Sequence, residues 1–481
     1  MAVTGNYVPT PAPVQQTLAS AYIDFTDAGA NSANWAQQYL PDLMAKEAEV
    51  FGNRTISGFL SQVGAEEGMT SDQVVWSEQG RLHLAYGATM ATATTFNVNT
   101  DADGQAPVDF VDGSSTSKAH GIRPGDMVLI ADANSTQAAF VTAVDYATHG
   151  VVTVATYDGV ALPSSGAVKV LVFGSEFVKG AVGRDATNKP NFKSFDNKPI
   201  IIKDKYDVSG SDTSQIGWVE VSGEEGQNGY LWYLKAAGDT RARFTDYLEM
   251  AMIESEKHAT GITSAITGAK GTVSGTEGLF AALNARGNEA TGLTGVNAAT
   301  DLAEFDSILA EFDKNGAIEE NMMFVNRATA LAMDDMLASM NSYGAGGTSY
   351  GVFENDEDMA LNLGFSGFRR GSYDFYKSDW KYLNDQSTRG LINAMDTVNA
   401  VRGVIIPAGV SSVYDEQLGK NLKRPFLHVR YRASATDNRK FKTWTTGSVG
   451  ATTSDLDAME MHFLSERCLV VQGANNFMLL N

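Results

Sequence analysis

One cysteine in 481 residues leaves no disulfide framework and no thiolate zinc cage within the chain. Proline is scarce, 11 against 47 glycines, a balance that suits β-rich structure with many tight turns. Positive charge is also short: 36 Lys and Arg face 57 Asp and Glu, for a net charge of −21. That deficit argues against a broad grip on nucleic acid, which needs clustered cations. No run approaches the ~20 apolar residues of a membrane span, and the N-terminus lacks the charged and apolar regions of a signal peptide, so no membrane partner is expected. What is present is 43% hydrophobic and 10% aromatic residues, which excludes a disordered or fibrous chain and fills the cores of several domains.

Residues 1–50 do not read as a self-sufficient fold. Pro9, Pro11 and Pro13 alternate, so this stretch is expected to be extended, because proline blocks helix and ladder donors alike. Trp35, Tyr39, Leu40, Leu43 and Met44 then carry helical spacing, interrupted by Pro41. Such an arm is expected to lie clamped on a neighbouring subunit, and to be kept rather than trimmed by a maturation protease. From Ser71 to Ala91, residues including Val74, Trp76, Gly80, Arg81, Leu82 and Tyr86 read as extended chain.

The segment 95–175 changes character. Short alternating runs, Met127–Ile130, Ala139–Val144, Val151–Val154 and Val168–Phe173, are separated by Pro124-Gly125-Asp126, His149-Gly150 and Asp158-Gly159. Five or six strands closing into a small independent barrel are expected. Beyond it the chain turns extended again, through Lys198-Pro199 and Ile200–Lys203.

Helical spacing follows between 226 and 258, where Leu231, Leu234, Phe244, Tyr247, Leu248, Ala251, Met252 and Ser255 form a stripe with Gly238 as a kink. A Gly/Thr/Ala-rich connector runs from Ala259 to Thr294. A second helix is expected with Thr300 as N-cap, acids Asp301 and Glu304 in its first turn, and Leu302, Phe305, Ile308, Leu309 and Phe312 on one face. Asn315-Gly316 ends it. Met322–Val325 reads as a buried strand and Arg327–Met340 as another helix. Further strands are expected at Val401–Pro407, at Phe426–Tyr431, and last around Cys468–Val471.

No catalytic signature survives its structural context. Gly347-Thr348-Ser349-Tyr350-Gly351 matches G-x-S-x-G, but glycines precede it and acids Glu354 to Asp358 follow, where the motif needs a strand and a helix. It reads as a loop. Asn99-Thr100-Asp101-Ala102-Asp103-Gly104 resembles the start of an EF-hand loop, yet the twelfth position is Phe110 rather than Glu. The six histidines show no paired spacing, and no Walker phosphate loop exists. The chain is therefore expected to be no enzyme, with no catalytic, cofactor or metal residues and no cofactor.

One basic cluster stands out: Lys423, Arg424, Arg430, Arg432, Arg439, Lys440 and Lys442, interleaved with Phe426, Tyr431, Phe441 and Trp444. On a strand, His428, Arg430 and Arg432 share one face. Three readings stand: contact with a neighbouring subunit, a solvated face with acid partners of its own chain, or contact with DNA. Pro9, Pro11, Pro13, Trp76, Arg81, Arg430 and Arg432 are the candidate subunit contacts.

The order of parts, with Asp204–Gly210 leading toward the long helix and Glu466–Val471 near the end, resembles the tailed-bacteriophage major capsid proteins of the Hong Kong 97-type fold. The resemblance implies an α+β fold with an N-terminal arm (1–50), an extended loop (51–94 and 176–225), an inserted all-β barrel (95–175), a peripheral domain with a spine helix (226–340), an axial domain (341–460) and a C-terminal strand returning to the peripheral domain (461–481). The insert is similar to insertion domains of some large-genome phages, crAss-like ones among them. The resemblance also implies self-assembly into hexamers and pentamers of an icosahedral head, with portal and head accessory proteins as partners. Packaged double-stranded DNA would lie inside as a non-specific partner. Its location would be the virion capsid, assembled in the host cytoplasm as a late protein. Some members cross-link through a loop lysine; Ala65–Thr94 contains none, and Lys179, Lys189, Lys193 and Lys198 lie on the return, so cross-linking is not expected from sequence. The alternatives are another virion structural protein such as a tail tube, or a virion-associated hydrolase with a β binding module.

Overall fold

In the computed structural model the described residues are 59–60, 65–80, 83–102, 104, 119–145, 150–183, 192–214, 221–222, 228–229, 232–263, 271–291, 298–316, 318–342, 367–395, 400–408, 410–415, 420–450 and 452–481. The arm with Pro9, Pro11 and Pro13, together with Arg81 and the Gly347–Gly351 string, lies outside them. The chain divides into one unit spanning Trp76–Phe195 and another formed by Met1–Val75 with Asp196–Asn481.

In the first of these, strands β3 (Ala85–Thr92), β4 (Thr95–Asp101), β5 (Asp126–Ala131), β6 (Thr136–Asp145), β7 (Val151–Thr156) and β8 (Gly166–Ser175) close into a barrel in the order β3-β4-β7-β6-β5-β8. Alternation builds it. Phe96, Val98, Val128, Ile130, Ala139, Val141, Val152, Val154, Val168 and Val170 point inward and form one buried core with Ile122. Gly125 takes φ +89°, and Asp126, fully buried, accepts the Arg123 amide at 2.9 Å, so the Pro-Gly-Asp signal makes the turn it promised. The barrel starts ten residues before the expected 95. Strand β3 carries only Ala88 and Met90 inward as buried apolar side chains, and its hairpin to β4 turns through Ala93-Thr94, with none of the usual turn residues. Two short strands, β2 (Val74–Gln79) and β9 (Phe192–Asn197), pair with each other where the chain enters and leaves.

The other unit holds two main sheets. The five-stranded sheet runs β1 (Ala65–Met69), β22 (Leu427–Arg432), β24 (Ala458–Val471), β10 (Ile200–Ser209), with β23 (Lys442–Gly447) also on β24. Helix α1 (Trp232–Glu254) lies on it: Phe244 and Leu248 pack on Phe463, with Phe441 5.4 Å from Phe244. Leu234 and Tyr247, expected on the buried stripe, are exposed, because the buried face follows the four-residue spacing of Phe244, Leu248 and Met252.

The six-stranded sheet has the order β15 (Asn288–Ala290), β25 (Met478–Leu480), β19 (Gly403–Pro407), β16 (Glu320–Val325), β18 (Tyr373–Asp379), β17 (Gly367–Arg370). Helices α3 (Ala298–Asn315) and α4 (Arg327–Ser342) bury Phe305, Ile308, Phe312, Ala330 and Met333 against it. Helix α3 begins at Ala298, so Thr300 is inside the helix rather than its cap. Gly316 at φ +62° ends it, as expected. Asn326 caps α4 by accepting the Thr329 amide at 2.7 Å. The other face meets α2 (Leu279–Arg286), Trp380, Tyr382 and the β22 and β24 side chains Leu427, Val429, Leu469 and Val471 in one continuous core. Small hairpins β11 (Val221–Ser222) with β12 (Asn228–Gly229), β13 (Ile262–Thr263) with β14 (Thr272–Val273), and β20 (Val410–Asp415) with β21 (Lys420–Pro425) complete the strands described.

These layers cross the boundaries expected from the resemblance. The six-stranded sheet takes strands from both sides of residue 340, and β22 and β23, inside 341–460, belong to the five-stranded sheet. Strands β1 and β10, placed in the extended loop, are part of that sheet as well. The stretch 461–481 supplies β24 to one sheet and β25 to the other. The Gly/Thr/Ala connector contains helix α2, whose Leu279, Phe280, Ala282 and Leu283 are buried. Short elements and small residues gave these segments little periodic signal.

Candidate assembly surfaces

Strand β1 pairs in parallel with β22, setting Glu66 opposite Val429 and Glu67 opposite Arg430. The acids of one strand thereby meet the cations of the other. Arg430 Nη2 lies 2.8 Å from Glu67 Oε2. Arg432 pairs with Asp72 and stands 3.9 Å from Glu466, whose other oxygen takes Arg439 at 2.6 Å. Lys440 pairs with Glu66, and Lys442 with Asp437 at 2.8 Å. Beneath them Arg467 is buried. It donates from Nε to Ser465 Oγ and from Nη2 to the Lys440 carbonyl, each at 2.9 Å, with Glu66 3.7 Å away. Burial lowers the Arg467 guanidinium from its ordinary value, with Glu66 pulling the other way.

Five of the seven cations in the expected cluster thus have an acid of their own chain within ion-pair distance. This is the arrangement of the solvated-face reading. Lys423 and Arg424 sit on β21, in register with Ser412 and Ser411. His428 shares the Arg430 face by alternation but is buried there, 1% exposed, with Nδ1 3.2 Å from the Pro425 carbonyl. Asp72, Arg432, Asp437, Arg439, Glu466 and Ile201 line an open groove of about 380 Å³. Trp76 is buried, donating to Glu78 Oε1 at 3.0 Å and lying 6.2 Å from the Phe195 ring. Glu66, Glu67 and Asp72 escaped the sequence reading because about 360 residues separate them from their partners.

Among the described residues, no group of three or more His, Cys, Asp or Glu side chains is arranged to hold a metal ion, and no helix is long and apolar enough to cross a membrane. Cys468, opposite Arg430 on β24, is fully buried, and burial pushes its thiol up to about 12. At pH 8 that leaves roughly a thousandfold less thiolate than an ordinary cysteine. A maleimide should therefore label the native chain negligibly and label it fully in denaturant. Stoichiometric labelling without denaturant would contradict this packing.

No protein-family model matches the chain, and no curated protein matches it. Solved structures do. One from Microbacterium phage Oxtober96 is 12% identical and covers 96% of this chain and 99% of its own, at a TM-score of 0.38. The capsid structure of the cyanophage P-SCSP1u is 8% identical over 64% of this chain and 80% of its own, at 0.34. The asymmetric unit of the mature capsid of bacteriophage PhiM1 is 9% identical over 64% and 79%, at 0.32.

Proposed function

We propose that this chain is the major capsid protein of a tailed bacteriophage with a Hong Kong 97-type fold, self-assembling into the hexamers and pentamers of an icosahedral head around double-stranded DNA. The observation that carries the reading is the order of elements. In chain order come a strand pair enclosing a closed barrel, a 23-residue helix on a long antiparallel strand pair, and an α/β layer that shares a core with that pair's sheet. That is the order the sequence resemblance implies. The arm 1–50 would lie on a neighbouring copy, and portal and head accessory proteins would bind the finished shell. The net charge of −21 fits a lumen from which DNA is repelled rather than held. No catalytic role is assigned.

Negative-stain electron microscopy of the concentrated full chain tests this. Closed isometric particles are expected. Open tubes would favour the tail-tube reading, and turnover of model glycans would favour the hydrolase.

A further inference from the structure

The barrel hides its core well and still leaves a second apolar surface on its outside. Tyr157, Val160, Leu171, Phe173, Phe177, Val178 and Val182 are between 41% and 86% exposed. The barrel does not need them, because its interior is filled by other side chains. Tyr157 and Phe177 come together at the end of the barrel marked by the Gly125 turn. Tyr157 stacks edge-on to Phe140 at 6.5 Å and donates to Glu176 Oε2 at 2.7 Å. The Glu176 amide bonds the Gly125 carbonyl at 3.0 Å, and the Phe177 ring sits over Gly125. Leu171 pairs across the strands with Leu129. Between β3 and β4, by contrast, the outward side chains Asn99 and Thr89 are polar and bond each other. An apolar face of this kind on a water-soluble barrel marks a contact.

We propose that this face is a two-fold contact between the barrels of two copies of the chain. The inference rests on the shell-subunit reading and adds the surface through which copies meet. Three observations favour a second copy as the occupant. The exposed parts of these seven residues add up to on the order of 800 Å², about what each partner gives to a standard interface. Residues 85–175 hold three basic against eight acidic residues, which disfavours nucleic acid. The local sequence is also self-complementary: Glu176-Phe177-Val178-Lys179 reads acid, apolar, apolar, base. A two-fold axis between Phe177 and Val178 sets Glu176 against Lys179 of the second copy and Phe177 against its Val178. Both ion pairs then close at the rim of an apolar centre.

The test mixes full-length chains carrying ¹⁴N with chains carrying ¹⁵N, concentrates them, and applies a zero-length carbodiimide that joins touching carboxylates and amines. Peptides linking Glu176 to Lys179 across the two isotopes are expected. Lys179→Glu places acids face to face and should cut the dimer fraction, read by sedimentation equilibrium because the variant has no amine at 179 to link, to roughly a fifth or less. The exchanged pair Glu176→Lys with Lys179→Glu should restore dimer. Links confined to one isotope, a single variant that dimerises like the parent, or an exchange that restores nothing would each overturn the contact. Closed shells without the mixed-isotope link would sink this contact and leave the capsid reading intact. Linked dimers that never grow into shells would do the reverse.

Discussion

Asn197→Ala should destabilise the two-sheet unit by roughly 3–5 kcal/mol, read as a lower urea midpoint. Asn197 ends β9, is fully buried, and joins three distant chain segments. Its Nδ2 donates to the Glu277 carbonyl at 3.0 Å and the Leu469 carbonyl at 2.7 Å. Its Oδ1 accepts from the amides of Lys198 and Glu277, both at 2.9 Å, and from Thr276 Oγ1 at 3.1 Å. Truncation leaves those groups without this partner in a site too buried for water to replace it readily. Asn197→Asp keeps the acceptors but turns a second oxygen toward two carbonyls, so it should be destabilising as well. A urea midpoint unchanged in both variants would mean that this joint is not a stabilising element.

Asp334→Ala should cost a similar amount, roughly 3–5 kcal/mol, for a different reason. Lys377 on β18 points under helix α4, where its side chain is 7% exposed. Its ammonium pairs with Asp334 and donates to the Ala330 carbonyl at 3.0 Å. Removing the carboxylate leaves a buried cation facing one carbonyl. Replacing both partners, Asp334→Leu with Lys377→Met, should recover most of the loss or exceed the parent, since apolar side chains carry no desolvation cost. If the double variant is as unstable as the single one, packing at this position matters and the charge does not.

The barrel was largely legible because period-two alternation and glycine turns act locally: β5, β6, β7 and β8 sit where the runs placed them. Strand β3 was misplaced because alanines and an Ala-Thr hairpin give neither signal. Helix α3 was legible from Phe305, Ile308 and Phe312, while its start was not, since Ala298 begins the helix as readily as Thr300 would cap it. The basic cluster was visible as composition, but not its partners, because β1 finds β22 only through the tertiary fold. Asn197 offered no signal. A single asparagine beside Lys-Pro looks like any turn residue until Glu277 and Leu469 are brought to it. The two-sheet arrangement was hidden for the same reason: Met478–Leu480 is three residues long, and its sheet is chosen by neighbours far away in sequence.

If the chain is a shell subunit, native mass spectrometry of the concentrated full-length protein will reveal its capsomers. Complexes of six and of five copies of the 51.4 kDa chain are expected, with larger closed particles above them. A spectrum that holds only single chains or dimers at every concentration would contradict it.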